Sequence, residues 1–129
     1  MCTTSSPYCT KLNASVGNGY IYTSTDSGAT WVERTDAGER TWRSVASSSD
    51  GIKLVAGVSE DGYIYTSTDS GTTWVERTDA GLRNWYSVAS SSDGTKLVAG
   101  ATNGYIYTST DSGATWVERT DAGERTWRS

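Results

Sequence analysis

The sequence predicts an all-β fold built from three repeated units, on the basis of its repeats, its composition and its turn residues. Residues 19–44 recur without change at 104–129, and residues 62–87 differ from them only at Thr72, Leu82, Asn84 and Tyr86. The chain of 129 residues contains six Trp and eight Tyr but no Phe. Aromatic and β-branched residues favour strands, and Gly and Asp favour tight turns. No segment shows the apolar spacing of a helix.

Each repeated unit is expected to form four strands. In the middle unit the strands are predicted at 44–48, 53–57, 63–66 and 73–77, with turns at 49–51, 60–62, 67–71 and 78–81. These turns contain Gly, which accepts the positive φ that hairpins require. Trp42, Trp85 and Trp127 are spaced by 43 and then 42 residues, which matches the period of a four-stranded β-propeller blade. We therefore predict a single repeat domain, 1–129, with three blades at about 1–37, 42–80 and 85–122.

Three blades are too few for a closed propeller, because closed rings have about four to eight. Head-to-tail association of copies would cover the open edges. The alignment of 10–12 with 95–97 indicates that 123–129 begins a strand shared across a chain junction. We expect three-blade chains to close a ring by oligomerisation, with a homodimer of about six blades favoured over a homotrimer of about nine. The alternatives are a fragment of a longer array, or an open or domain-swapped assembly.

Each unit contains the motif S-x-D-x-G-x-T-W, at 24–31, 67–74 and 109–116. Its Asp is expected to accept hydrogen bonds from the turn backbone, its Gly to adopt the left-handed conformation and its Trp to bury a large surface. The motif resembles the Asp-box, or BNR repeat, of sialidases, sortilin-type receptors and Ycf48-type assembly factors. The resemblance implies a structural hairpin that lies away from any active site. A structural role is predicted for Ser24, Asp26, Gly28, Thr30, Trp31, Ser67, Asp69, Gly71, Thr73, Trp74, Ser109, Asp111, Gly113, Thr115 and Trp116.

Catalysis is not expected from this sequence. The resemblance to sialidases implies an arginine cluster, a Tyr–Glu nucleophile pair and a general acid drawn from different blades, but here Arg, Tyr and Glu recur at equivalent places in every blade. The F/Y-R-I-P segment of sialidases is absent, since Pro7 is the only proline. The chain has no His and no G-x-S-x-G elbow. We therefore predict no catalytic residues, no metal site and no cofactor.

The net charge and the composition of residues 1–9 indicate which classes of partner are not expected. The net charge is −4, with Arg and Glu interspersed, which argues against a nucleic-acid surface. No apolar run is long enough to cross a bilayer, and residues 1–9 lack the features of a signal peptide. These observations predict a protein that is cytoplasmic as expressed and has no nucleic-acid or membrane partner. Cys2 and Cys9 are expected to be free thiols, with a disulfide as the alternative.

A ligand rim is the second functional hypothesis. The loop at 60–61 and the linker at 36–40 are expected to share one rim, while Ser44, Ala46 and Ser48 face the channel. Arginine and tryptophan are frequent in binding hot spots, and exposed tryptophan stacks on sugars. The alternative interpretation places the tryptophans in the core and the arginines in a solvated lattice of ion pairs. The candidate rim residues are Arg40, Trp42, Arg83, Trp85, Arg125 and Trp127.

Two functions therefore follow from the sequence. The first is a non-catalytic scaffold that self-assembles with copies of itself, and the exact identity of two units indicates recent duplication or deliberate construction. The second is a binding module for a glycan or protein ligand, resembling Ycf48-type factors or lectin-like propellers.

Overall fold

The computed structural model of the chain describes residues 12–15 and 17–127. These residues form three antiparallel sheets, which we call blades 1, 2 and 3 in chain order. Blade 1 contains β1 Leu12–Ser15, β2 Ile21–Ser24 and β3 Val32–Arg34. Blade 2 contains β4 Trp42–Ser47, β5 Leu54–Val58, β6 Ile64–Ser67 and β7 Val75–Arg77. Blade 3 contains β8 Trp85–Ser90, β9 Leu97–Ala101, β10 Ile106–Ser109 and β11 Val117–Arg119, followed by a 3-10 turn at Thr120–Ala122. The all-β prediction is confirmed.

Each four-stranded blade is a meander in which consecutive strands pair. Strand β4 begins two residues before the predicted strand, because Trp42 pairs with Val58 across a bulge that precedes Ser44. The equivalent bulge in blade 3 lies between Trp85 and Ser87. In blade 1 the structure describes three strands. The innermost strand expected there, and both cysteines, fall on residues 1–11, outside the described ranges.

The β5–β6 turn differs from the expected hairpin chemistry. Its positive φ angles lie at Glu60 (63°) and Asp61 (59°), and Gly62 does not take that conformation. Gly62 is needed for space instead, since a Cβ there would overlap the side chain of Val58. The turn after β4 does follow the expectation, because Gly51 has φ of 71°. Glycine is therefore needed for its positive φ in one turn and for lack of a side chain in the other. The turn sequences alone did not distinguish these two reasons.

The blades pack face to face through two apolar clusters. Strand β8 lies beside β4 and β5, and β4 lies beside β1, so consecutive blades are neighbours. We call the side of a blade that points towards the next blade along the chain its forward face, and the opposite side its rear face. The forward face of blade 2 is built from Ala46, Val55, Ile64 and Ala80. The rear face of blade 3 meets it with Val88, Ala99, Tyr107 and Trp116.

The junction between blades 1 and 2 has the same composition. Ile21 and Ala37 of blade 1 form one cluster with Trp42, Val45 and Tyr65 of blade 2, all of them buried. Residues at equivalent positions in the repeat therefore carry both junctions. The fold is a row of nearly identical sheets joined by nearly identical interfaces, as expected for a repeat protein.

Candidate functional site

The S-x-D-x-G-x-T-W motif forms a hairpin that is held by its own side chains. In blade 2, Asp69 Oδ1 accepts hydrogen bonds from the Thr73 N–H at 2.8 Å and from the Ser67 hydroxyl at 2.9 Å. Its Oδ2 accepts the Thr73 hydroxyl at 2.6 Å. Ser67 Oγ in turn accepts the Gly71 N–H at 2.9 Å. These polar groups satisfy one another, so the hairpin has the geometry of a structural turn.

The same bonds recur in the other two hairpins. The Thr30 and Thr115 N–H groups donate to Asp26 and Asp111 at 2.8 and 2.9 Å. Hydrogen bonds from the threonine hydroxyl and N–H, and then from the serine, lower the pKa of both carboxyls to about 2. The pKa of Asp69 is lowered for the same reason. Glycines 28, 71 and 113 have φ of 88°, 90° and 90°, so the left-handed glycine is where the sequence placed it.

The tryptophans that end the motif are not buried alike. The indole N–H of each donates to the carbonyl of the motif glycine, at 3.0 Å for Trp31, 2.9 Å for Trp74 and 3.0 Å for Trp116. Trp116 is 8% exposed, whereas Trp31 is 43% exposed. The local hairpin is thus the same, and what differs is whether a preceding blade covers it. The expected burial of a large surface applies to Trp116 and only weakly to Trp31.

An aspartate links each hairpin to the preceding blade. Asp36, in the linker after blade 1, accepts the backbone N–H of Trp74 at 2.7 Å. Asp79, in the linker after blade 2, accepts the backbone N–H of Trp116 at the same distance of 2.7 Å. An ionised acceptor makes a stronger hydrogen bond than a neutral one. This bond therefore ties the outer part of one blade to the linker of the blade before it.

Arginine and tyrosine form the second recurring contact. The guanidinium of Arg40 lies 4.8 Å from the ring centroid of Tyr65, and that of Arg83 lies 4.8 Å from the ring of Tyr107. Burial first, and then a hydrogen bond with Glu118, raises the pKa of Tyr107 to about 12. Burial also raises the pKa of Tyr65. These are cation–π contacts to the buried tyrosines at the blade junctions, and they position the linker on the next blade.

The six candidate rim residues do not form an exposed ring. Trp42 and Trp85 are 3% and 0% exposed, and each packs edge-on against a tyrosine with ring centroids 5.2 Å apart. They are core residues and are not positioned to stack on a sugar. Arg40 and Arg83 each donate from Nε to the carbonyl of the linker alanine, at 3.0 and 3.1 Å. Ligand binding at Arg125 and Trp127 stays a prediction.

The expected lattice of ion pairs is also replaced by other contacts. In the described part of the chain one salt bridge is present, between Arg83 and Glu118 at 3.7 Å. Arg40 and Arg83 are held by tyrosine rings and backbone carbonyls. The outer-strand arginines donate instead to threonine hydroxyls, in the pairs Arg34–Thr23, Arg77–Thr66 and Arg119–Thr108.

Two of the three residues expected to face a channel, Ser44 and Ala46, contact the neighbouring blade instead. Ala46 is part of the cluster between blades 2 and 3. Ser44 Oγ accepts the Val88 N–H at 3.2 Å, and the Ser48 hydroxyl donates to Asp50 at 2.6 Å. The blades pack face to face, so both sides of β4 point at neighbouring blades: Val45 lies in the cluster with blade 1 and Ala46 in the cluster with blade 3.

The two loops that were expected to share a rim do lie together. The Asp61 N–H donates to the Asn84 side-chain oxygen at 2.9 Å, which joins the β5–β6 turn to the linker before blade 3. The Thr41 hydroxyl reaches Asn18 at 2.9 Å and Glu60 at 3.3 Å. Most polar groups at this end of the sheets are therefore engaged with each other.

A third junction of the same kind would join the forward face of blade 3 to the rear face of a blade 1. Both of these faces are exposed in the described chain. On the forward face of blade 3, Val98 is 39% exposed, whereas its equivalent Val55 is 1% exposed. Ala89 and Ala122 are exposed and Ile106 is half-buried, although their equivalents in blade 2 are buried. On the rear face of blade 1, Tyr22 is half-buried and Trp31 is exposed. Two complementary half-junctions thus face solvent.

Reasoning from the sequence missed the junction aspartates and tyrosines. Each aspartate stands five residues after the motif tryptophan, at positions 36, 79 and 121. The tyrosines stand in the strand before the motif, at positions 22, 65 and 107. The exact repetition of these residues was a usable signal. It did not reveal their partners, because those lie on a different blade.

The described residues also bear on metal binding and on membrane insertion. No group of three or more His, Cys, Asp or Glu is placed to hold a metal ion within 12–15 and 17–127. The same ranges contain no helix that is long and apolar enough to cross a membrane.

The blade arrangement is similar to solved β-propellers. YCF48 bound to D1 peptide matches with a TM-score of 0.69 at 20% identity, over 84% of this chain and 36% of that chain. The GH74 enzyme of Niastella koreensis matches with a TM-score of 0.68 at 23% identity, over 84% of this chain and 16% of that one. YCF48 from Cyanidioschyzon merolae matches with a TM-score of 0.63 at 19% identity, over 79% of this chain and 30% of that one.

These similarities establish the fold. The chain consists of β-propeller blades, as the sequence predicted, and it spans about a third or less of each of these neighbours. No family model matches the chain, and no curated protein matches it. The class that the fold defines is therefore a β-propeller.

Proposed function

We propose that this chain is a non-catalytic scaffold that assembles with copies of itself, head to tail, into a closed propeller. The observation that carries the proposal is the pair of open half-junctions. The exposed forward face of blade 3 has the same residue types as the covered forward face of blade 2. A second copy brings a blade 1 whose rear face repeats that of blades 2 and 3 at Tyr22 and Trp31.

Exposed apolar faces of this kind are covered by association in soluble proteins. The two faces are different, so the contact is heterologous, and such contacts close into rings when the rotation allows it. A homodimer of about six blades lies within the usual range of propeller sizes, and a homotrimer of about nine lies beyond it. We therefore favour the homodimer.

The absence of catalysis is part of the proposal. Some structural neighbours are GH74 enzymes, but the likeness covers 16–18% of those chains at 17–23% identity. In this chain the Arg, Tyr and Asp residues that recur at the junctions are engaged in contacts that hold blades together. Equivalent residues in near-identical blades do not supply the distinct acid, base and nucleophile roles that hydrolysis needs.

Solution mass tests the assembly directly. Size-exclusion chromatography with light scattering, over a hundredfold range of concentration, is expected to give a dimer of the 13.8 kDa chain that dissociates on dilution. A trimer would support the assembly and revise the ring size. A folded monomer at every concentration would contradict the proposal.

The second candidate function is a binding module that uses the same open face. Val98, Gly100, Ile106 and Trp127 line an apolar depression on blade 3, with Ala89 at its edge. A neighbour of the same fold, YCF48, is bound to a D1 peptide. Isothermal titration with D1-derived peptide and a glycan array separate the two ligand classes, and a dimer that binds neither would favour the scaffold.

A further inference from the structure

We propose that the junction between two copies is held by a clamp in which Asp121 of one copy accepts the backbone N–H of Trp31 in the next. Arg125 and Trp127 of the first copy pack on Tyr22 of the second in the same clamp. This inference rests on the assembly proposed above and assigns its contacts.

The two internal junctions supply the template. Asp36 and Asp79 each accept the N–H of a motif tryptophan at 2.7 Å. Arg40 and Arg83 each stack at 4.8 Å on the tyrosine of the following blade. Because the residues and the distances are the same at both junctions, the clamp is a property of the repeat.

The acceptor half of a third clamp is present after blade 3. Asp121 lies in the exposed 3-10 turn, and it accepts no hydrogen bond from the described part of the chain. The position of the linker is already set, because Gly104 and Arg125 exchange backbone hydrogen bonds at 3.1 and 2.9 Å. The internal linkers are fixed in the same way, through Gly19 with Arg40 and Gly62 with Arg83.

The arginine after blade 3 is oriented like its internal equivalents. Arg125 Nε donates to the Ala122 carbonyl at 3.3 Å, as Arg83 Nε does to the Ala80 carbonyl at 3.1 Å. Arg125 is exposed, and no tyrosine ring of the described residues lies beneath its guanidinium. The guanidinium of Arg125 is therefore already positioned, and its aromatic partner lies on another copy.

The donor half is present on blade 1. Trp31 N–H makes no hydrogen bond within the described residues, and the Trp31 side chain is 43% exposed. Tyr22 bonds Glu33 at 2.8 Å, which keeps its ring in the orientation seen for Tyr65, whose hydroxyl bonds Glu76 at 2.6 Å. The leading cause of the raised pKa of Tyr22 is its hydrogen bond with Glu33, whereas for Tyr65 and Tyr107 it is burial.

The occupant is a second copy because the clamp needs several groups at once. It must offer a backbone N–H beside an exposed tryptophan, and a tyrosine at the correct distance along the sheet. Glu33 then lies where Glu118 lies at the junction between blades 2 and 3, within ion-pair distance of the arginine. Blade 1 of this chain presents that whole set, and it presents it on the face that is open.

The test compares one substitution at three equivalent positions. We expect Asp121→Ala to weaken association by about ten- to a hundredfold, as measured by analytical ultracentrifugation, because a charge-assisted hydrogen bond is lost. The melting temperature of the diluted monomer should not change. Asp79→Ala and Asp36→Ala are the matched controls, and they should lower the melting temperature of the monomer itself.

Two further variants sharpen the test. Asp121→Asn keeps an acceptor oxygen without the charge and should weaken association less than Asp121→Ala does. Arg125→Ala removes the stacking partner of Tyr22 and should also weaken association. A wild-type chain that assembles while Asp121→Ala and Arg125→Ala assemble equally well would overturn the clamp and leave the scaffold standing. A wild-type monomer at every concentration would overturn both.

Discussion

The middle blade and the two outer blades share almost one sequence, but they have different surroundings. Blade 2 is covered on both faces, and its residues Val55, Ile64 and Trp42 are 1%, 0% and 3% exposed. Blade 3 is covered only at its rear, and Val98 on its forward face is 39% exposed. Blade 1 has its forward residue Ile21 at 0% and its rear residue Trp31 at 43%. The faces of each blade are therefore buried by its neighbours, and each of the two outer blades keeps one exposed face.

The largest difference in stability is expected between alanine substitutions of two tryptophans at equivalent positions. Trp85 is fully buried between blades 2 and 3 and packs on Tyr107, so Trp85→Ala should destabilise the chain by about 3–5 kcal/mol. Trp127 is half-buried at the open face, and Trp127→Ala should reduce the stability of the monomer by about 1 kcal/mol. Urea unfolding of dilute protein measures both.

This pair also checks the open face itself. If the two substitutions cost the same stability in the monomer, then Trp127 is already covered and the comparison between the faces fails. In the assembled protein the cost of Trp127→Ala should rise towards that of Trp85→Ala.

A smaller effect is expected inside the hairpins. Asp69→Ala removes the acceptor for the Thr73 N–H and hydroxyl and for the Ser67 hydroxyl, and it should destabilise the chain by about 1–3 kcal/mol. Thermal melting measures this loss, and Asp69→Asn serves as the conservative control. An unchanged melting temperature would contradict the structural role of the motif. Asp26→Ala removes the same local bonds in blade 1, so a similar loss there would show that the hairpin is locally determined.

The smallest effect concerns pH and is shared by all blades. Asp26, Asp93 and Asp111 have pKa values of about 2, because threonine and serine groups donate hydrogen bonds to their carboxylates. An Asp in an unfolded chain has a pKa near 3.9, so these bonds stabilise the fold fully above about pH 5. That contribution is lost as the pH falls through 4 towards 2.

The melting temperature is therefore expected to be flat from pH 7 to about pH 5 and to fall below it. The matched variant is Asp93→Asn, which lacks one of these carboxyls and should show a shallower fall. A wild-type melting temperature that holds constant down to pH 2 would show that these hydrogen bonds do not favour the ionised carboxylates.

Much of the fold could be predicted from the sequence because it depends on local chemistry. The period of the repeat gave the blades, and the motif gave the hairpin with its left-handed Gly71 and its bonded Asp69. The bulge before Ser44 was missed, since it depends on how β4 pairs with β5. Ser44 and Ala46 were assigned to the channel because the sequence does not show that both sides of β4 pack against neighbouring blades, as Val45 and Ala46 do.

The candidate site was harder to predict for the same reason. The sequence marked Arg40, Trp42 and their copies as notable, but it did not reveal that Tyr65 and Tyr107 are their partners. The role of Asp36 was also missed, because Trp74, which it bonds, is 38 positions away in the chain and on another blade. Contacts between repeats have no local signature apart from the repetition itself.

By itself, the sequence determined the strand pattern, the hairpin chemistry and the number of blades. Residues 19–44 and 104–129 are identical, yet Ile21 is fully buried where Ile106 is half-buried, and Trp31 is 43% exposed where Trp116 is 8% exposed. Only the tertiary structure decided these differences. Hydrogen bonds within a turn are set by residues a few positions apart, whereas burial is set by whichever surface lies opposite, and for identical segments that surface differs with position in the row of blades.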